Sequence, residues 1–254
     1  MIKKVILAVL IMFTYAKIVG QDNSSITTKL FVYGGQLNKQ FLKYTAELTG
    51  KEKPKIIFLP TATGDSDRYI NYWYELCSDL DIEPHVLRVW INSYRQKESF
   101  ENVLLKMDAI IVGGGNTLNM LAIWKAQEID QALKKAYKKG IILAGGSAGS
   151  LCWFNGGTTD SRPKELSIVK GLSFLDYSHC PHYHSEESRR PLYHKNILTG
   201  KLGDGYACDD NAGILFINDK VKEAVTLDEQ SNSYFVYKNN GKIEEEKIEA
   251  KILK

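Results

Sequence analysis

Ser147 stands in Gly145-Gly146-Ser147-Ala148-Gly149, directly after the apolar run Ile141-Ile142-Leu143-Ala144. Four such residues read as a buried strand, and a Gly-x-Ser-x-Gly that leaves a strand and enters a helix has the pattern of a nucleophile elbow. The reason is steric. A serine at the tip of so sharp a turn takes a strained backbone conformation, and glycine neighbours leave it room. Its hydroxyl becomes a nucleophile for a carbonyl once a base removes the proton. The alternative is a small-residue turn whose serine caps the next helix.

A base, an acid to orient it and donors for an oxyanion are then required. Of five histidines, His179, His182 and His184 crowd into one segment. His182 follows Pro181 at the end of a short apolar strand, where it is best placed to be held rigidly. His85 opens an interior strand and His194 lies on a predicted helix, both reading as packed or surface histidines. Three aspartates are candidates for the acid: Asp160 in the polar loop Thr158 to Ser161, and Asp209 and Asp210 at the end of a strand that starts at Tyr206. Gly113-Gly114-Gly115-Asn116 fits a phosphate cradle poorly, since Leu118 stands where Gly-x-Gly-x-x-Gly needs a glycine and no Gly-Lys-Ser/Thr follows. As an oxyanion loop it fits better, because a backbone N–H there can meet the same oxygen as the amide of Ala148.

Those residues need a frame. Lys29–Tyr33, Lys55–Leu59, His85–Trp90, Asp108–Val112 and the run before Ser147 are short, nearly continuous apolar strands. Between them, Leu37–Leu48, Asp67–Leu80 and Leu118–Lys139 carry apolar residues at helical spacing, the last stopped by Gly140. Such alternation predicts an α/β fold: a mostly parallel sheet flanked by helices, with ligands bound beyond the carboxyl ends of the strands. The glycine loop and the Ser147 elbow follow consecutive strands and should lie side by side. Beyond Phe154 the alternation weakens. A helix is expected over 186–198, with Pro191 in its first turns, and the remainder, with Asn239-Asn240-Gly241 as a hairpin turn, adds antiparallel strands at one edge.

With 254 residues, 44% of them hydrophobic, the chain is long enough for a proper core, and nothing in its composition marks a linker or a repeat. A net charge of +3 with interspersed signs gives no basic stripe, so nucleic acid is not an expected partner. Residues 1–20 differ: Lys3 and Lys4 precede an apolar run over 5–13 that ends in Thr14-Tyr15-Ala16, which reads as a secretory signal peptide and is short for a membrane span. This predicts export, secreted or periplasmic, with residues 21–254 as one domain and no lasting membrane association after cleavage; without a leader the chain would be cytoplasmic. Four cysteines lack any Cys-x-x-Cys spacing and read as small core residues.

Taken together, strand-GGGNT-helix, strand-GGSAGS-helix, the TTDS loop, the CPHY segment, Ser-Glu-Glu-Ser-Arg-Arg-Pro and the late ACDDNAG strand resemble peptidase family S51, which includes peptidase E (aspartyl dipeptidase) and cyanophycinase. The likeness runs in order over about 29–216. It implies a class I glutamine-amidotransferase-like (flavodoxin-like) fold with serine in place of the usual cysteine. By position, Ser147 matches the nucleophile, His182 the general base, and Gly115 and Ala148 the oxyanion donors. The third member matches Asp160 through the peptidase E loop, or Asp210 through the cyanophycinase glutamate; the strand expected beside the histidine segment favours Asp210. The implied reaction is acyl transfer without metal or cofactor. Its substrate would be a short peptide, in peptidase E one with N-terminal aspartate, whose carboxylate calls for an arginine fork. Arg189 and Arg190, with Asn116 of the glycine loop, are the expected substrate-binding residues, and a homodimer is an expected assembly.

Three other readings compete. A cyanophycinase-like exopeptidase on an isoaspartyl polymer would use the same residues. A metallohydrolase would gather His179, His182 and His184 around zinc, leaving the elbow unexplained. A non-catalytic member of the fold would bind a ligand without turnover.

Overall fold

The computed structural model describes residues 26–90 and 97–254. The leader expected over 1–20 lies outside the described residues. The described chain is built around two sheets.

The first is built from β1 (Lys29–Tyr33), β2 (Lys55–Leu59), β3 (Glu83–Val86), β4 (Ala109–Val112) and β5 (Ile142–Gly146), all parallel, in the order β1-β5-β4-β2-β3. Late strands β10 (Ala212–Ile217) and β11 (Lys220–Thr226) extend it antiparallel beyond β1, and β14 (Ala250–Ile252) closes that edge parallel to β11. Alternation within β1 shows why its apolar run is unbroken. Leu30 and Val32 point to one face and Phe31 and Tyr33 to the other, and all four are fully buried. Helices α1 (Lys39–Leu48) and α2 (Asp67–Cys77) cover the Phe31 face through Phe41, Leu42 and Trp73. The opposite face packs on α3 (Phe100–Leu104), α4 (Thr117–Ala126) and α5 (Ile129–Lys138), and on the second sheet through Trp153 and Phe154.

That second sheet was not separable in the sequence. It holds β6 (Phe154–Thr159), β7 (Ser167–Lys170), β8 (Leu175–Cys180), β9 (Gly205–Cys208), β12 (Ser233–Asn239) and β13 (Lys242–Ile248), ordered β13-β12-β9-β8-β6-β7. Its centre, β6-β8-β9, is parallel and its rims are antiparallel. Helix α7 (Arg189–Leu198) packs Tyr193 and Ile197 against it.

Three expected elements shift. The strand expected over His85–Trp90 is β3, starting at Glu83; it tolerates Pro84 because it is an edge strand. The long helix Leu118–Lys139 is two helices, broken where Glu128 adopts φ 58°. The helix expected from 186 begins at Arg189, so Pro191 still falls in its first turn. All four cysteines are buried and free.

Between β5 and β6 lies the short helix α6 (Ala148–Leu151). Its Gly149 backs onto β4 so closely that a Cβ would stand 2.1 Å from the Val112 carbonyl oxygen. Gly149→Ala is therefore expected to lower stability by about 1–3 kcal/mol through overpacking against backbone. Urea unfolding of both proteins checks this, and an unchanged midpoint would contradict it.

Candidate active site

Ser147 sits between β5 and α6 with φ 53° and ψ −118°, outside the regions that side chains favour. Its N–H reaches the Tyr33 carbonyl at 3.3 Å, and its own carbonyl accepts the N–H groups of Ser150 and Leu151. The turn is thus fixed from the strand side and the helix side.

His182 comes from the second sheet, two residues past β8, and also has positive φ, 54°. Its Nε2 lies 2.8 Å from Ser147 Oγ, and its Nδ1 lies 2.7 Å from Asp210 Oδ1. A carboxylate only accepts, so Nδ1 carries the hydrogen and Nε2 is free to accept from the serine hydroxyl. Asp210 lies in the connection from β9 to β10, where the chain crosses from the second sheet to the first. The Gly35 N–H donates to its carbonyl at 3.1 Å, and the Ser185 hydroxyl donates to Oδ1 at 2.9 Å. The hydrogen bond from His182, the Ser185 bond and the nearby Arg189 guanidinium together hold the Asp210 carboxyl below the usual carboxylate range.

The segment is pinned by the residues between and beside. Tyr183 is buried and donates its N–H to the Cys208 carbonyl at 3.2 Å, while His184 Nδ1 meets Asp209 Oδ1 at 2.8 Å. Two imidazole–carboxylate pairs therefore lie next to each other, and only the one through His182 reaches Ser147. His179 has a third role. Fully buried, it stacks on Phe154 at 4.5 Å, donates Nδ1–H to the Tyr206 carbonyl and presents Nε2 to the Ser150 hydroxyl at 3.0 Å. Burial holds it neutral, pushing its pKa from 6.5 down to about 3. Among the described residues no group of three His, Cys, Asp or Glu side chains is arranged to hold a metal ion.

The loop after β4 runs beside the serine, as expected from consecutive strands. A Cβ on Gly114 would lie 3.0 Å from Ser147 Cβ. Gly115 has φ 131°, and a Cβ there would meet the Ala62 carbonyl at 2.5 Å, so the position requires glycine. The neighbouring Asn116 N–H donates to that carbonyl at 2.8 Å. Among the described residues, the N–H groups of Gly115 and Ala148 have no protein acceptor.

Other expected site residues lie elsewhere. Asp160 is mostly exposed and stands 3.6 Å from the Arg189 guanidinium, not at His182. The side chain of Asn116 caps α4, accepting from the Asn119 N–H at 2.9 Å and donating to the Ser161 carbonyl at 3.1 Å. Arg189 is buried and bonds both Glu186 oxygens and the Thr158 carbonyl. Arg190 makes a two-pronged pair with Glu245, whose carboxyl it and Tyr183 hold down to about 2. Neither arginine lines the cavity at Ser147, although the Arg189 charge lies near enough to help lower the Asp210 carboxyl. The structure adds instead features that the sequence reading missed: Ser185, and this cavity above Ser147, walled by aromatic side chains of β2 and α2.

Comparison with known proteins shows the family and the fold. The model of the family described as Peptidase family S51 matches residues 30–224. The chain belongs to peptidase family S51. The S51 chain is 41% identical over 211 residues to the uncharacterized peptidase YgaJ of Bacillus subtilis strain 168, covering 83% of this chain and 90% of that protein. A peptidase E of Shewanella denitrificans is 26% identical over 153 residues, 58% of this chain and 62% of that one. In fold, a peptidase from an acI-B1 Actinobacterium superposes with a TM-score of 0.68 at 15% identity, covering 89% of this chain and 96% of that one. A putative peptidase E from Listeria monocytogenes EGD-e gives 0.61 at 20%, covering 80% and 100%.

The buried His179 carries a pH consequence. Below pH 6.5 the unfolded chain binds a proton there that the folded chain takes only near 3. The unfolded state gains protons first, so this group removes stability as pH falls through that window, by up to ~1.4 kcal/mol per pH unit. Urea midpoints from pH 6.5 down toward 3 should fall more steeply for the wild type than for His179→Gln. Parallel slopes would contradict the assignment.

Proposed function

We propose that this S51 peptidase is serine-type and cleaves short peptides, dipeptides among them, through an acyl-enzyme on Ser147. The observation that carries the reading is the unbroken line from Ser147 Oγ to His182 Nε2, at 2.8 Å, and from His182 Nδ1 to Asp210, at 2.7 Å.

The steps follow from the geometry. His182 takes the hydroxyl proton as Ser147 Oγ bonds to the scissile carbonyl carbon, and the carbonyl oxygen gains the charge. Gly115 and Ala148 supply N–H donors for that oxygen. Collapse of the tetrahedral adduct breaks the C–N bond, and the imidazolium passes its proton to the departing amine. Water, deprotonated by His182, then releases the acyl group and restores Ser147. Asp210 keeps the ring in the tautomer that can accept, and its depressed pKa keeps it ionised to acid pH. The preference for N-terminal aspartate that family resemblance implies would need a guanidinium at the serine. Arg189 and Arg190 are held by Glu186 and Glu245 instead.

The test is hydrolysis of Asp-X, Glu-X, β-aspartyl and neutral dipeptides by the wild type and three variants, with a chelator alongside. Ser147→Ala should abolish turnover, and Asp210→Asn should lower kcat by on the order of 10³-fold or more by freeing the wrong tautomer. Asp160→Asn should keep most of the activity. Turnover that persists in Ser147→Ala, or that the chelator abolishes, would overturn the proposal.

A further inference from the structure

Beside Ser147 and His182 lies a cavity of about 190 Å³. Its floor is the glycine loop 113–115, and its walls are Gln36, Leu37, Phe58, Tyr69, Tyr72 and Trp73. Among the described residues no Asp, Glu, Lys or Arg side chain lines it. Phe58 and Trp73 stack with centroids 5.5 Å apart, forming a flat inner wall that is fully buried on the Trp73 side. Tyr69 and Tyr72 are only partly covered and stand at the rim, where the Tyr72 hydroxyl donates to the Leu37 carbonyl at 3.3 Å and ties the helix to the opposite lip.

Resting on the serine-peptidase reading, we propose that this cavity receives the side chain of the residue whose carbonyl Ser147 attacks, and that it selects neutral apolar or aromatic side chains over aspartate. Three observations carry it. The cavity touches the serine and the glycine loop, which receives the carbonyl oxygen, so the side chain on the acyl half lies nearest. Its volume is below the ~300–1,000 Å³ of pockets that hold whole drug-sized ligands, and fits one side chain. Its walls are ring faces, the Leu37 chain and the uncharged Gln36, and a carboxylate buried there would lose hydration with no Lys or Arg among the described lining residues to offset it. The Tyr72 hydroxyl bond to the Leu37 carbonyl holds that part of the rim in place.

The experiment is steady-state kinetics on two series, X-Ala and Ala-X, with X as Phe, Tyr, Leu, Ala, Asp, Glu and Lys, on wild type, Ser147→Ala, Tyr72→Ala and Tyr72→Arg. The partial exposure of Tyr72 makes both rim variants compatible with folding. Expected kcat/KM for Phe-Ala or Leu-Ala exceeds that for Asp-Ala by about 10–100-fold, the range one apolar pocket gives. Tyr72→Ala should lower the ratio of Phe-Ala to Ala-Ala, and Tyr72→Arg should raise the ratio of Asp-Ala to Phe-Ala. Selectivity for Asp-Ala in the wild type, or selectivity that appears only in the Ala-X series, would overturn the cavity assignment while leaving the serine peptidase intact. No Ser147-dependent turnover of any member would overturn the serine-peptidase reading, and the cavity assignment with it.

Discussion

The hydrogen-bonded line Ser147–His182–Asp210 joins pieces of chain that belong to different sheets, and the rest of the architecture is what makes them meet. Ser147 hangs from the end of β5 in the first sheet, His182 follows β8 in the second, and Asp210 lies where β9 hands the chain over to β10. A shift of one sheet against the other would part the imidazole from the hydroxyl. Large side chains at the seam resist that shift: Trp153, Phe154, Tyr206 and Phe216 share one buried cluster with the strands of both sheets. Packing at near-crystalline density transmits such constraints, because no void is left in which to slide.

Two of the three residues adopt positive φ, and each such position costs about 1–3 kcal/mol unless its surroundings impose it. For Ser147 the constraint is the tight packing of Gly149 on Val112 and the bond to the Tyr33 carbonyl. For His182 it is Tyr183, whose ring is buried among Tyr193, Cys180 and Val236 while its N–H is fixed on Cys208. Strain in the loops is therefore offset by burial one residue away. His179 acts from beneath: held neutral by burial, it supports Ser150 one helical turn from Ser147.

Much of this was legible in the residues. Continuous apolar strands ending in glycine, with amphipathic helices between them, can bury both faces only in a parallel sheet, and the loops after neighbouring strands then converge. Ser147 and the glycine loop could be paired on that ground alone. The second sheet was hidden because its strands are half-polar: β8, Leu175–Cys180, contains an aspartate, a serine and a histidine, and the last two meet other buried polar groups. The choice between Asp160 and Asp210 depends on which strand abuts β8, a long-range fact that no local pattern carries. The partners of the arginines were hidden for a related reason. A charged pair at a helix start looks available for a ligand, while Glu186 and Glu245 that occupy it are three and 55 residues away. The aromatic excess of α2, with Tyr69, Tyr72, Trp73 and Tyr74 in six residues, was the missed signal, since a single core-facing stripe does not need four rings.

The central claim is that Ser147 becomes covalently acylated because His182 is positioned to take its proton. The most direct measurement is to mix the protein with an activated amino-acid ester, quench with acid within one turnover and map the adduct by mass spectrometry. The account predicts one acyl group on Ser147 in the wild type, lost on longer incubation with water, and none in His182→Ala. An adduct on another residue, or peptide turnover with no acyl-enzyme formed at Ser147, would contradict it.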